Sequence, residues 1–138
     1  MAATEKRPEI IALARDLQGV PMCEDYERMI SGMMYNPTTP QLSEARHLCR
    51  GRTADYNNLD TKTVSYEEIG PARHALLSKL VGRVGPGTFV EPPFYVDYGC
   101  NTVIGENCFI NWKLVPIYIF PPQLHSPNTL SPSNPYTP

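Results

Sequence analysis

Cysteine and histidine are the side chains here best suited to reactive chemistry, and their spacing narrows what that chemistry could be. The four cysteines, Cys23, Cys49, Cys100 and Cys108, form no Cys-x-x-Cys pair, and no histidine lies at ligand spacing from them. A zinc site needs ligands at short, regular spacing, so no metal site is predicted and all four read as free thiols. Thiols stay reduced inside the cell, and the cytoplasm is the expected location. Histidine is the side chain that ordinarily titrates near neutral pH. His47 and His74 fall in stretches of helical period and read as surface or partly packed residues. His125 stands in Gln-Leu-His-Ser-Pro, inside a proline-rich stretch.

Four segments would have to position such groups. Residues 1–20 read as an N-terminal extension in which Ile10, Leu13 and Leu17 fall at helical spacing; the alternative is a loosely docked terminus. Residues 21–81 read as helical. Tyr26, Met29, Ile30 and Met33 form one apolar stripe, and Asn36-Pro37 is expected to end that helix, because proline pushes the residue before it out of the α region. Thr39-Pro40 then has the form of a cap followed by proline at the first helical position. Leu42, Ala45, Leu48, Cys49 and Arg52 follow at helical spacing, with Tyr56-Asn57-Asn58 as the end of the helix. Ser65-Tyr66-Glu67-Glu68 has the capping-box pattern. Pro71 argues against it, since an interior proline costs about 3 kcal/mol, so a start near Gly70-Pro71 is the alternative. Leu76, Leu77, Leu80 and Val81 form the buried face, with Gly82 as the residue closing the helix.

The period changes over residues 82–114. Val84, Val90 and Val96 recur every six residues, and Ile104 and Ile110 continue the spacing after a two-residue slip. Gly85, Gly87, Gly99 and Gly105, with Asn101 and Asn107 as turn candidates, punctuate the run. A six-residue apolar repeat with turn residues between is the mark of a parallel β-helix, three hexads closing one triangular coil; an ordinary glycine-rich β region is the alternative. Residues 115–138 change again: seven of the 24 are proline and none is Asp, Glu, Lys or Arg. So little buriable surface cannot offset ordering entropy, and the segment reads as disordered with polyproline character.

The chain has 138 residues and a formal net charge of −2, which carries no electrostatic footprint for nucleic acid or an anionic membrane. Behind Lys6 and Arg7 the apolar stretch Ile10 to Ala14 ends at Arg15-Asp16, too short and too charged for a signal peptide. No run reaches the roughly 18 apolar residues of a membrane span.

Three stretches resemble a known family in order: Tyr26-Glu-Arg-Met-Ile-Ser-Gly-Met-Met-Tyr35 with Leu42 to Arg46 behind it, Val90-Glu-Pro-Pro-Phe-Tyr-Val-Asp-Tyr-Gly-Cys-Asn101, and Ile104-Gly-Glu-Asn-Cys-Phe-Ile-Asn-Trp112. They are similar to the maltose, galactoside and nodulation-type sugar O-acetyltransferases, the hexapeptide-repeat family with a left-handed β-helix. The resemblance covers about residues 22–114. It implies an α+β chain: a helical maltose-acetyltransferase-type domain over 21–81, then the first coils of a left-handed parallel β-helix over 82–114. It also implies transfer of acetyl from acetyl-CoA to a hydroxyl of a sugar such as maltose, glucose or a galactoside. Members are homotrimers with sites in the clefts between neighbouring β-helices, and a histidine removes the proton of the acceptor hydroxyl, without which a hydroxyl is a poor nucleophile.

By the same resemblance, Asn111 matches an asparagine near the acceptor and the catalytic centre. Asp97 matches an acceptor-site position often filled by Ser or Asp. Arg46 matches an arginine that reaches the sugar from the helical domain, and Asn36 or Pro37 falls where many members have an acidic residue. The plainer alternatives are a corner residue for Asn111, a turn cap beside Gly99 for Asp97 and a solvated helix residue for Arg46. The resemblance implies a catalytic histidine about 30 residues after the matched asparagine, in a Thr-His-Pro-like context. Here His125 is the only histidine after Asn111, and no hexads stand between to position it. The repeat stops at Ile110 and Pro116 takes the next position, so the chain is expected to be truncated after about residue 114. Two functional readings follow: an acetyl-CoA-dependent O-acetyltransferase by family, or a catalytically inactive fragment that serves as an interaction piece. About one and a half coils ending in an open edge would also leave the fold marginally stable.

Overall fold

Local backbone and capping chemistry sets several helix ends in this chain. The structure, a computed structural model, describes residues 2–111 and the backbone of Gln123–Leu124. Helix α1 spans Pro8–Arg15 and opens on a proline, whose fixed φ suits a first helical turn. Ile10, Ile11 and Ala14 are buried, as is Leu17 just beyond, whereas Leu13, expected on that face, is 52 % exposed. The segment is docked and not frayed. Lys6 Nζ bonds Glu24 and Glu27 on helix α2 (Glu24–Ile30) at 2.5 and 2.8 Å, and the Arg7 N–H donates to Ser31 Oγ at 2.9 Å.

Helix α2 ends at Ile30, well before Asn36-Pro37 where the sequence led us to expect its end. The cause is Gly32 at φ +76°. With Gly32 in the left-handed region, its N–H reaches the Met29 carbonyl at 3.0 Å and the Met33 N–H reaches the Arg28 carbonyl at 2.9 Å. That pair of bonds is a Schellman motif, and it closes a helix on its own. Helix α3 (Pro40–Asn57) buries Leu42, Cys49, Thr53 and Tyr56. Leu48 and Arg52, predicted on its inner face, are exposed, and Tyr56, read as the fading end of the helix, is fully buried. Helix α4 (Tyr66–Leu80) begins at the capping box. Ser65 Oγ accepts from the Glu68 N–H at 3.3 Å while the Glu68 carboxylate accepts from the Ser65 N–H at 3.4 Å. Those two bonds hold the helix start despite Pro71 in its second turn, so the start near Gly70 is set aside.

Five two-residue strands follow: β1 (Arg83–Val84), β2 (Phe89–Val90), β3 (Val103–Ile104), β4 (Phe109–Ile110) and β5 (Gln123–Leu124). All pairs are parallel, and every register joins residues twenty apart: Arg83 with Val103, Phe89 with Phe109, Val103 with Gln123. One side of the coil carries β1-β3-β5 and the next β2-β4. Twenty is three hexads plus two, and the 3-10 turn Gly99–Asn101 takes up the extra residues. Val90, Val96 and Ile104 point into the core, with Val84 and Ile110 half-buried beside them. Asn101, a turn candidate in the sequence, does stand in that 3-10 turn, where it is buried and accepts from the Tyr26 hydroxyl at 2.6 Å. Gln123–Leu124, read as unstructured, pair as β5; the rest of the 115–138 tail lies outside the described residues.

The helices close one end of this coil. Gly82 does not cap α4 in a left-handed turn; Val81 is already extended at φ −102°, and the Gly82 N–H bonds the Gly99 carbonyl at 2.9 Å. The approach is so close that a Cβ on Gly82 would lie 2.1 Å from the Cys100 oxygen, and one on Gly99 would lie 1.9 Å from the Leu80 oxygen. At the end of α3 the Asn57 side chain donates to the Phe94 carbonyl at 3.0 Å and accepts from the Phe94 N–H at 2.8 Å. Next to it the Tyr56 hydroxyl donates to the Val90 carbonyl. Arg73, buried on α4, lies over the Tyr56 ring with its guanidinium carbon 5.5 Å from the centroid.

Asn57→Ala removes both bonds to Phe94 and leaves two backbone groups unpaired. Each unsatisfied group costs about 1–3 kcal/mol, so urea unfolding followed by circular dichroism should show a loss of about 2 kcal/mol or more, with Asn57→Asp intermediate. An unchanged midpoint would mean that water replaces the clamp. Burial also pushes the Tyr56 hydroxyl from its ordinary 10.0 up to about 12, against the opposing charge of Arg73. The folded state therefore favours the neutral phenol: this contribution is complete below pH 10 and disappears as the pH rises from there towards 12. Tyr56→Phe should flatten that part of a stability–pH curve.

Candidate functional site

Loop 31–39, between α2 and α3, is shaped by α2. Asp25 Oδ1 accepts from the Asn36 N–H at 2.7 Å and Arg28 Nε donates to the Met34 carbonyl at 2.9 Å. Asn36 Oδ1 then accepts from the Thr38 N–H at 3.0 Å and from its hydroxyl at 2.7 Å, a turn of the kind short polar side chains build from their own backbone. The oxygen of Asn36 is thus engaged within its own loop. Pro37 offers a carbonyl where an acidic side chain was looked for.

Arg46, one and a half turns into α3, takes up that carbonyl: Nη2 donates to Pro37 at 2.6 Å and to Ser43 Oγ at 3.4 Å. Nη1 donates to the Tyr98 hydroxyl, and the guanidinium carbon sits 5.6 Å from the Tyr98 ring centroid. Arg46 is therefore half-buried and held by two elements, not a solvated helix residue. Tyr98 belongs to the third side of the first coil, where Phe94, Val96 and Tyr98 point inward and Tyr95 and Asp97 point out. Asp97 is exposed beside the clamp. Burial pushes the Tyr98 hydroxyl up, Arg46 opposes that shift, and Asp97 and Tyr35 add to it.

Asn111 follows β4 at another corner. The Glu91 N–H donates to the Ile110 carbonyl at 2.8 Å, so Asn111 follows directly above Glu91 of the coil below, and it is exposed. The fold thus gathers Arg46, Asp97 and the Asn36-Pro37 loop around Tyr98 and sets Asn111 on a different corner. His47 is exposed on α3. His74 is half-buried on α4 with Nδ1 3.3 Å from the Thr88 carbonyl, beside a shallow, mainly apolar groove of about 470 Å³ lined by Pro71, Ala75 and Phe89 among others. None of the four predicted residues lines that groove. His125 lies outside the described residues. Sequence reading missed Tyr98, although the alternation Phe94, Val96, Tyr98 carried the signal.

Residues 28–85 match the maltose acetyltransferase hexapeptide capping motif. The nodulation protein L of Rhizobium meliloti is 34% identical over 89 residues, 64% of this chain and 45% of that protein. A galactoside acetyltransferase solved in complex with coenzyme A superposes with a TM-score of 0.55 at 27% identity, over 65% of this chain and 42% of the other. The chain thus carries a capping motif and a coil similar to those of hexapeptide-repeat sugar O-acetyltransferases. A further hexapeptide-repeat acetyltransferase, from Vibrio cholerae and complexed with acetyl coenzyme A, aligns with a TM-score of 0.52 at 25% identity, over 64% and 44% of the two chains. The chain spans less than half the length of each of these relatives. The matched capping motif runs from α2 to just past β1, the stretch that carries Arg46 and closes the first coil. No described helix is long and apolar enough to cross a membrane.

The junction of α3 and the first coil also holds two quiet thiols. Cys49 donates to the Val96 carbonyl at 3.4 Å and accepts from the Gly99 N–H at 3.3 Å. Burial pushes the Cys49 thiol up and drives that of Cys100 to about 12. Reactivity belongs to the thiolate, so a disulfide reagent at pH 8 should label half-buried Cys23 first and leave Cys49 and Cys100 unmodified until urea unfolds the chain. Mass spectrometry of the labelled peptides reads this directly; early labelling of Cys49 would show that the seam between α3 and the coil opens.

Proposed function

We propose that this chain carries the acceptor side of an acetyl-CoA-dependent sugar O-acetyltransferase. The observation that carries the reading is Arg46, clamped by Tyr98 and the Pro37 carbonyl at the junction of loop, helix and first coil, with the Asp97 carboxylate exposed beside it. A guanidinium only donates and a carboxylate only accepts. Together they suit a hydroxyl-rich acceptor such as maltose, glucose or a galactoside, whose groups do both. Asn111 adds an amide on the neighbouring corner. In this reading Asp97 takes a hydrogen bond from one hydroxyl, Arg46 gives one to another, and the Asn36-Pro37 loop closes the site from the helical side. Acetyl-CoA is the co-substrate, supplying acetyl as an activated thioester. The coils wind left-handedly, as the resemblance implies, and three copies assemble, covering exposed rings such as Phe109 and Tyr95, which are 64% and 52% exposed. A reducing compartment such as the cytoplasm suits the four free cysteines.

A second reading, in which the chain binds an acceptor without transferring acetyl, has one observation in its favour. Of the two described histidines, His47 is exposed to solvent and His74 is engaged at the Thr88 carbonyl, and neither bonds any residue of the Arg46 clamp. Mass spectrometry of maltose, glucose and a galactoside incubated with acetyl-CoA and the chain separates the two. On the first reading acetylated sugar appears, Asn111→Ala lowers kcat/KM about a hundredfold, of the order lost with one polar group at a reacting centre, and Arg46→Ala raises the acceptor KM about tenfold. No acetylated sugar, together with maltose binding that weakens in Arg46→Ala, would support the second reading against the first. Absence of both activities would sink the two together.

A further inference from the structure

Tyr98 is the one inward-facing aromatic of the first coil that touches a predicted acceptor residue, and it touches that residue twice. Its hydroxyl accepts from Arg46 Nη1, and its ring lies under the guanidinium. Its own position is fixed from behind: Tyr98 is 8% exposed and packs in the cluster formed by α1, α2 and the start of α3. The other arm of the guanidinium is held by the Pro37 carbonyl. Two fixed acceptors on a planar, rigid fork set both the place and the rotation of the group. Nε and the second Nη1 hydrogen have no partner among the described residues and remain available to a bound hydroxyl. A lysine could accept neither constraint, having one freely rotating ammonium at the end of a flexible stem.

We propose that Tyr98 is a positioning residue which, through this two-sided clamp, holds the Arg46 guanidinium ready for a sugar hydroxyl beside Asp97. The inference rests on the acceptor-site reading given above. The same tyrosine couples that site to the helical cap, because the surface that fixes its ring is built by the N-terminal helices.

The decisive measurement is a double-mutant cycle on the full chain, using Tyr98→Phe and Arg46→Lys. Tyr98→Phe keeps the ring and its packing and removes only the hydroxyl, and the thermal midpoint of each variant is recorded alongside. With maltose as acceptor, Tyr98→Phe should raise the acceptor KM about five- to tenfold, leave kcat within twofold and leave the acetyl-CoA KM unchanged. In the Arg46→Lys background it should add less than twofold, because coupled residues are not additive. If Tyr98→Phe changes the acceptor and acetyl-CoA KM values alike, or multiplies fully onto Arg46→Lys, the proposal is wrong. Should the chain transfer no acetyl, the same cycle is read from the maltose dissociation constant, and the first proposed function then fails while the clamp is still tested. A separate readout does not need the sugar at all: in nitrogen-15 spectra the Arg46 Nη signals should be resolved in the unaltered chain and averaged in Tyr98→Phe. Averaged signals in the unaltered chain, or no maltose binding by a chain whose Arg46 signals are resolved, would overturn the proposal.

Discussion

A stack of parallel coils satisfies the backbone of each turn with the turn beside it, so the first turn has nothing beneath it. In this chain the helical half answers that need, and most of the architecture follows from how it does so. Tyr56 and Asn57, at the end of α3, supply the hydroxyl and amide that bond Val90 and Phe94 on the bottom of the first coil. The chain leaving α4 supplies Gly82, whose N–H bonds Gly99. A buried polar group without a partner is expensive, and a sheet edge left open invites other strands. The helices are therefore the floor of the coil, and α3 must run across it at a fixed height. That height brings Arg46, three turns earlier on the same helix, to Tyr98.

Much of the coil was legible in the sequence because burial inside a narrow prism imposes its own period. Val84, Val90, Val96, Ile104 and Ile110 are the inward positions, and the two-residue slip between Val96 and Ile104 is the 3-10 turn at Gly99–Asn101. The helices were read less well, each for a physical reason. At α2 a left-handed glycine stopped the helix before the proline could. At α3 the periodic pattern suggested a face through Leu48 and Arg52, but the helix serves two cores: Leu42 enters the N-terminal cluster, while Cys49 and Tyr56 face the coil. No single stripe describes such a helix. Gly82 was noticed for the right position and the wrong cause, since it is the crowding against Cys100 and not a positive φ that requires it.

The candidate site shows the same division. Residue types could suggest Arg46, Asp97, Asn36 and Asn111 through resemblance, yet their partners depend on contacts between segments some fifty residues apart. Nothing local to Arg46 announces Tyr98. The bonds that set loop 31–39 likewise come from Asp25 and Arg28, on the preceding helix. What looked like separate candidates is a connected arrangement in which α2 shapes the loop, the loop offers Pro37, and Pro37 and Tyr98 together orient one guanidinium. Asn111 comes directly after β4, whose Ile110 carbonyl accepts from the Glu91 N–H of the coil below.

The twenty-residue register has a consequence for how this protein can change. Phe89 stacks on Phe109 with centroids 6.1 Å apart and rings within 7° of parallel, and the space over Gly87 is already filled by the Asn107 side chain. Each position on the coil wall therefore belongs to a column, and a column tolerates only certain combinations of sizes. A larger residue at one level needs a smaller one at the level above. Evolution along such a wall would proceed by paired exchanges at matching heights, so that single replacements are poor guides to what the scaffold permits.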